Sequence, residues 1–248
     1  MNRVLNWERN PPDRRDFTLS LSIPKTLPGY SYLTKFMGPV KDQLDIGSCV
    51  GHGISEAYEA VAVHHKKVYR RFSELFPYYI GRTYINCEGE DSGCYIRDAF
   101  KGAQKYGIPP YELWPYVKSK VLVKPTIKAY TEAEKFQALR YEKITSLLEL
   151  KACIAEYRHP VVFGFDVYES FWNIGANGIM PVPNPRFEEL QGGHCVLAMG
   201  YNDKARLIRV RNSWGPNWGC FGDFFMPYEV FESEMCDDRT ILHRGEQI

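Results

Sequence analysis

Four residues of this chain could together cleave an amide bond. Cys49, His194 and Asn212 are far apart in the sequence, but each lies beside a segment with a regular apolar pattern. A cysteine attacks a carbonyl carbon once a neighbouring base removes its proton, and that base must be held in one orientation by a third group. We predict that Cys49 is the nucleophile, His194 the base and Asn212 the group that orients the base.

Gln43, the fourth residue, lies six positions before Cys49. Its carboxamide N–H can turn towards the point where the attacked carbonyl oxygen gains charge, and with the backbone N–H of Cys49 it would form an oxyanion hole. A helix N-terminus favours a thiolate, so we expect a Cys49 pKa well below the ordinary value of about 8.5. Trp214, two residues after Asn212, is expected to cover the Asn212–His194 hydrogen bond.

The first half of the chain is predicted to be mainly helical. Apolar side chains recur at three- and four-residue steps from about 48 to 70 and from 95 to 106, where Gly107 can form the C-terminal cap. A third helix is predicted after Ser146, because its side chain and that of Glu149 can form a capping box. The nucleophile therefore lies in the first turn of the first predicted helix.

The second half of the chain has a different pattern. Beyond Pro160, short β-branched or aromatic runs are separated by Gly, Pro and Asn, which predicts an antiparallel sheet or barrel. The predicted fold class is therefore α+β, and catalytic groups from the two halves can meet in a cleft between them. The predicted strands cover residues 161–167, 195–199, 207–210 and 224–226.

Residues 1–29 are predicted to form an N-terminal arm, followed by the main domain at 30–248. The arm is rich in Pro, Arg and Asp and then alternates Phe17, Leu19, Leu21 and Ile23, which predicts a short strand. Such a segment is expected to pack on the body of the protein. We predict that it partly covers the cleft.

Composition excludes several classes of function. With 31 basic and 30 acidic side chains the formal charge is +1, so no global field favours nucleic acid or an anionic membrane. No apolar run reaches the roughly 20 residues of a membrane helix, and the N-terminus is too polar for a signal peptide. We expect a cytoplasmic or virion-associated protein. The seven cysteines show no metal-type spacing, so neither a metal site nor any other cofactor is expected.

The blocks Gln43-x5-Cys49, Gly-Gly-His194 and Asn212-Ser-Trp-Gly-x2-Trp-Gly resemble the catalytic blocks of the papain family of cysteine peptidases, in family order. The resemblance covers roughly residues 30–240. Asp91-Ser-Gly93 and Trp114-Pro-Tyr116 are similar to the bacterial and viral branch of that family. The resemblance implies a two-lobe fold, with a helical left lobe at about 30–135 and an antiparallel, barrel-like right lobe at about 136–240.

The resemblance also implies roles for individual residues. Cys49 would attack, His194 would shuttle the proton, Asn212 would orient His194 and Gln43 would bind the oxyanion. Ser92 and Gly93 match a stretch whose backbone pairs with an extended substrate, and Trp214 matches the wall on the leaving-group side. We also assign Gly193, which allows close backbone approach beside His194, to substrate binding. The expected partner is an extended peptide or protein substrate.

The chain departs from the plant and animal members of the family at two positions near the nucleophile. Val50 stands where those members carry Trp, and Ile46 stands where they carry a cysteine of a structural disulfide. Cys87 and Cys94 therefore have no family partner and are expected to be free thiols, in keeping with a reducing compartment.

Alternative functions remain open at the level of sequence. The same scaffold could serve an acyl transferase or peptide ligase, if an added amine outcompetes water for the acyl group. A non-catalytic peptide-binding protein or a virion structural component is a further alternative. The intact set of four reactive residues favours the peptidase.

Overall fold

The computed structural model describes residues 3–13, 16, 18–66 and 68–244. Within these residues the chain forms six α-helices and seven β-strands in an α+β arrangement. The helices are α1 Cys49–Lys66, α2 Leu75–Thr83, α3 Ile96–Tyr106, α4 Ile127–Ala133, α5 Leu147–Ala152 and α6 Tyr228–Glu232. The strands are β1 Tyr30–Tyr32, β2 Ala138–Lys143, β3 Val161–Tyr168, β4 Leu190–Asn202, β5 Leu207–Arg211, β6 Asp223–Pro227 and β7 Cys236–Arg244.

The strands form one antiparallel sheet in the order β2-β7-β3-β4-β5-β6, and β1 pairs with β4. Over the described ranges the sheet stays open between β2 and β6, so the expected antiparallel pairing is present without closure into a barrel. Strand β4 is central because it pairs with both β3 and β5. A residue on β4 is therefore held from two sides, which suits a catalytic base.

The structure shows the local contacts that begin and end the predicted helices. The first begins at Cys49 and ends at Lys66, and residues 68–70, predicted to continue it, are not helical. Gly107 caps α3 with φ of 80° and donates its N–H to Ala103. Ser146 and Glu149 form the capping box of α5. None of the helices in the described part of the chain is long and apolar enough to cross a bilayer.

The predicted strand in the N-terminal arm is wrong over the residues that can be compared. Thr18 makes only an isolated parallel bridge to Lys143, and the Leu19 N–H donates to the Lys143 carbonyl at 2.9 Å. The described residues from 18 to 23 are otherwise irregular, and Phe17 lies outside the described residues. One hydrogen-bonded contact with the end of β2 does not extend into a ladder.

A buried ionic cluster joins the segment before the nucleophile to the first two helices. The Lys41 ammonium is 2.8 Å from the Glu59 carboxylate of α1 and 3.1 Å from that of Glu74, which precedes α2. All three side chains are at most 3% exposed. Burial alone would lower the Lys41 pKa, but the neighbouring carboxylates outweigh it and raise the pKa, so the lysine is charged.

Substitution of Lys41 by Met is expected to lower the free energy of unfolding by about 3–5 kcal/mol. It leaves the buried Glu59 carboxylate without its cation, and Glu74 keeps only its pair with Arg71 at 3.0 Å. Urea denaturation measures the change. Arg70→Met is the matched control, since Arg70 forms an exposed pair with Glu112 at 2.7 Å and exposed pairs contribute about 0–1 kcal/mol. Equal losses in the two variants would contradict the interpretation.

Candidate active site

The loop from Gln43 to Cys49 is held by side chains from other parts of the chain. The Asp91 carboxylate accepts the Gly47 N–H at 3.1 Å. The Tyr116 hydroxyl donates to the Gln43 carbonyl at 2.8 Å. Cys49 then begins α1 and is fully buried. These contacts fix where the sulfur lies relative to the sheet.

His194 and Asn212 form the predicted hydrogen bond. His194 Nε2 is 2.8 Å from Asn212 Oδ1, which also accepts the Ser213 N–H at 2.8 Å. Because this oxygen can only accept, His194 Nε2 carries the proton, and Nδ1 is the basic nitrogen. His194 Nδ1 is buried and has no hydrogen-bond partner. Trp214 stacks on the imidazole with ring centres 4.9 Å apart, which covers this bond.

The thiol lies beside the strand that carries the histidine. The backbone of Cys195, the residue after His194 on β4, is close enough to the Cys49 sulfur to favour its ionised form. The start of α1 and the middle of β4 therefore meet at the sulfur. The thiol and the imidazole that the sequence placed on different halves of the chain thus lie on elements that meet, and no hydrogen bond joins the Cys49 sulfur to His194 Nδ1.

Gln43 is also at this centre. Its Oε1 accepts the Ser213 hydroxyl at 2.6 Å, and its Nε2 donates to the Ile46 carbonyl at 2.9 Å. The same Nε2 is 3.4 Å from the main-chain carbonyl of Val4 in the N-terminal arm. The carboxamide is thus fixed with its N–H side towards a peptide carbonyl.

The N-terminal arm crosses the site in an extended form. Asn6 makes a parallel bridge with Gly193, and the Trp7 N–H donates to the Gly193 carbonyl at 2.9 Å. On the other side, the Asn6 carboxamide donates to the Asp91 carbonyl at 2.9 Å. The arm therefore contacts β4 on one side and the loop between α2 and α3 on the other.

Arginines hold the arm on either side of this crossing. The Arg3 guanidinium donates to the Asp42 carboxylate at 2.6 Å and to the Trp214 carbonyl at 2.9 Å. The Arg9 guanidinium donates to the Asp166 carboxylate at 2.7 Å and is 3.6 Å from that of Asp237. Cys49 and His194 are both fully buried in this arrangement.

Burial reverses the pKa shift expected for the nucleophile. Removal from water raises the Cys49 pKa to about 11, although backbone groups of Cys195, Val50 and Asn6 favour the thiolate. Removal from water also lowers the His194 pKa to about 4, although the hydrogen bond that His194 donates to Asn212 acts in the opposite direction and raises it. Both shifts favour the neutral thiol and the neutral imidazole over the thiolate–imidazolium pair while the arm covers them.

Ser92 and Gly93, predicted to bind substrate, lie beside the arm. Asn6 packs closely on Gly93. The Gly93 N–H already donates to the Tyr78 hydroxyl at 3.1 Å, and the Gly93 carbonyl accepts the Ser92 hydroxyl at 3.1 Å. Ser92 and Gly93 therefore contact the extended arm through packing. The Gly93 N–H, the Gly93 carbonyl and the Ser92 hydroxyl form their hydrogen bonds within the main domain.

Asp91 and Tyr116 were missed as positioning residues by the sequence analysis. Asp91 accepts both the Gly47 N–H and, at 2.5 Å, the Tyr78 hydroxyl. Both residues lie within motifs that carry the family resemblance. That position in the sequence could have indicated that they support the active site. The described residues contain no cluster that could hold a metal ion, and all seven cysteines are free thiols.

The fold places Cys49 at the start of a buried helix that meets the strand carrying His194, and comparisons with known proteins identify the class of protein. The profile of the papain family cysteine proteases matches residues 31–239. The chain is 32% identical to a peptidase C1-like protein, L477, of Acanthamoeba polyphaga mimivirus, over 98% of this chain and 87% of that protein. This chain belongs to the papain family and is a cysteine protease, a hydrolase.

A solved structure and a more distant relative are consistent with this assignment. The structure of xylellain, a cysteine protease from Xylella fastidiosa, superposes with a TM-score of 0.90 at 32% identity, covering 98% of this chain and 96% of that one. Mouse cathepsin K is 25% identical over 86% of this chain, which spans 59% of the length of cathepsin K.

The pKa shifts predict how the thiols of the intact chain react with iodoacetamide. Only thiolates alkylate readily, so at pH 7 Cys49 is expected to react at least about tenfold more slowly than an unfolded-state thiol. Cys87 and Cys220, which are partly exposed, are expected to be labelled first. Peptide mapping after brief exposure measures the order, and preferential labelling of Cys49 in the native chain would contradict it.

Proposed function

We propose that this protease hydrolyses peptide bonds of extended peptide or protein substrates through a Cys49 acyl-enzyme. His194 acts as general base and acid, Asn212 orients His194, and Gln43 with the Cys49 backbone N–H stabilises the oxyanion. The observation that carries the proposal is the hydrogen bond of 2.8 Å between His194 Nε2 and Asn212, which leaves the buried Nδ1 without another partner.

The reaction has two stages. His194 Nδ1 takes the Cys49 proton, and the thiolate attacks the substrate carbonyl carbon to give a tetrahedral oxyanion. The oxyanion collapses as the C–N bond breaks and the imidazolium gives its proton to the leaving amine, which forms a thioester. His194 then removes a proton from water, and the resulting attack releases the acid and restores the thiol.

The arm supports the assignment of Gln43. It places the Val4 carbonyl 3.4 Å from Gln43 Nε2, so a main-chain carbonyl already occupies the side of the carboxamide where the substrate oxygen is proposed to bind. The Ser213 and Ile46 contacts hold that carboxamide in place beforehand. A donor fixed before the reaction needs no reorganisation when charge develops.

The arm is further proposed to be an inhibitory cover that competes with substrate. By the family resemblance, Trp214 borders the leaving-group side, which receives the C-terminal part of a substrate, and Gly93 borders the acyl side. Arg3 contacts Trp214 and Asn6 packs on Gly93, so the arm runs in the opposite direction to a substrate. A reversed chain fills the cleft without presenting a peptide bond in the reactive orientation.

Substitution of Gln43 by Ala tests the mechanism. It removes one oxyanion donor, so kcat for a fluorogenic peptide is expected to fall by about 10²-fold with little change in KM. Gln137→Ala is the matched control, because Gln137 is an exposed glutamine that bonds the Lys105 carbonyl. Cys49→Ala is expected to abolish hydrolysis. A loss below about threefold in Gln43→Ala would reject the proposed oxyanion hole.

Substitution of both Arg3 and Arg9 by Gln tests the inhibitory cover. Loss of these contacts is expected to weaken arm docking, readmit water to Cys49 and lower its pKa, so both iodoacetamide labelling of Cys49 and peptide hydrolysis should accelerate by about tenfold or more. Lys25→Gln/Lys35→Gln is the control, since it removes the same charge at exposed positions. Unchanged rates in the arginine double variant would show that the arm does not limit access.

A further inference from the structure

The segment between Trp114-Pro-Tyr116 and α4 carries both lysines and exposed aliphatic side chains. From Glu112 to Glu132 the sequence has four lysines and no acidic residue in between. We call residues 117–128 the lysine loop. Its aliphatic side chains with exposed fractions of 43–86% are Val117, Leu122, Val123 and Ile127. Single exposed apolar side chains are ordinary, but a concentration of them in one segment indicates a surface that binds something.

The lysine loop is held in place by contacts with the helical part of the domain. Val121 is buried, and its carbonyl accepts the guanidinium of Arg82, a fully buried residue of α2. Within the loop, the Lys120 N–H donates to the Val117 carbonyl at 2.8 Å, and the Val123 N–H donates to the Lys120 carbonyl at 3.1 Å. The backbone is therefore ordered while its apolar side chains stay exposed, so covering them costs little further ordering.

The positive charge of the lysine loop is only partly balanced by the rest of the chain. Lys118 pairs with Asp45. Lys124 and Lys128 have no ion-pair partner among the residues that the structure describes. The formal charge of the whole chain is only +1, so this charge is a local feature that the overall balance conceals.

We propose that the lysine loop is a docking surface for a membrane leaflet that contains anionic phospholipids. The exposed aliphatic side chains enter the boundary between headgroups and acyl chains, and the lysine ammonium groups reach the phosphate groups around them. Lysines close to an anionic leaflet strengthen binding, and their effect decays within a Debye length. Peripheral binding of this kind needs no helix that spans the bilayer.

The residue types of the lysine loop favour lipid over an acidic protein partner. Binding energy at protein interfaces is concentrated in Trp, Tyr and Arg, and lysine is depleted there. Residues 117–128 contain lysines but none of those three residue types. Aliphatic side chains interspersed with lysines are instead typical of segments that lie at a membrane surface.

The lysine loop adjoins the loop that carries the proposed oxyanion donor. Tyr116, immediately before the lysine loop, donates to the Gln43 carbonyl, and Lys118 pairs with Asp45. Docking through the lysine loop would therefore hold the candidate active site near the lipid surface.

Sedimentation of the full-length chain with vesicles tests the proposal without any use of catalysis. The chain is expected to bind mixed phosphatidylserine–phosphatidylcholine vesicles at least about tenfold more tightly than pure phosphatidylcholine vesicles. Leu122→Ser/Val123→Ser removes apolar contact, and Lys124→Gln/Lys128→Gln removes charge. Each double variant is expected to weaken binding to the mixed vesicles by about tenfold or more.

Two double variants outside the lysine loop are the matched controls. Val68→Ser/Leu148→Ser changes two aliphatic side chains that are also more than half exposed. Lys25→Gln/Lys35→Gln removes the same charge at exposed positions. Each control is expected to change vesicle binding by less than about threefold. Thermal unfolding followed by circular dichroism checks that every variant is folded.

Equal binding to the two kinds of vesicle, or binding to neither, would overturn the proposal. So would lysine-dependent binding that Leu122→Ser/Val123→Ser leaves intact, because that is adsorption by charge alone. Binding to polyglutamate that is tighter than binding to the mixed vesicles would assign the surface to an acidic protein partner and reject the lipid assignment.

Salt gives a reading that needs no variant. Raising the salt concentration from about 0.1 M to 1 M shortens the Debye length from about 10 Å to about 3 Å. Binding of the wild-type chain to the mixed vesicles is expected to fall by about tenfold or more over this range. Binding that is unchanged at high salt would contradict the role given to the lysines.

Discussion

Main-chain pairing between the arm and Gly193 is the interaction on which the state of the active site depends. The bridge at Asn6 and the bond from the Trp7 N–H, at 2.9 Å, set the arm beside His194 and above Cys49. Water is thereby excluded from the thiol and the imidazole, and the charged form of each becomes unfavourable. The same contact seats Trp7 on Gly164 and brings Asn10 to Asp238. The docking of the arm and the resting protonation state of the site therefore have one structural origin.

Two of the proposed catalytic groups are already oriented while the arm is docked. Asn212 already orients His194, and Ser213 already orients Gln43. What changes on opening is solvation: the sulfur at the N-terminus of α1 regains water, so its pKa is expected to fall towards that of a reactive thiol. In this account the fold sets the geometry of the active site. The arm sets the ionisation of Cys49 and His194, because it controls their access to water.

Features with local causes were accessible from the sequence. The helix after Cys49, the Gly107 cap and the Ser146 capping box each depend on residues a few positions apart, and the structure confirms them. Helix α2 was missed because nearly all of its residues are buried, so no polar stripe marks its period. Strand β7 was missed because Asp237, Asp238 and Arg239 interrupt its apolar pattern, although β2 and β3 pair with it on both sides. The raised Cys49 pKa was not accessible, because it depends on how the arm packs against distant strands.

Direct titration of the Cys49 thiolate tests the central claim. The ultraviolet absorption of the thiolate would be followed against pH in the native chain, with Cys49→Ala subtracted, and then in Arg3→Gln/Arg9→Gln. The account predicts an apparent pKa near 11 in the native chain and a fall of several units in the arginine double variant. A thiolate already present at neutral pH in the native chain, or an unchanged pKa in the variant, would contradict it.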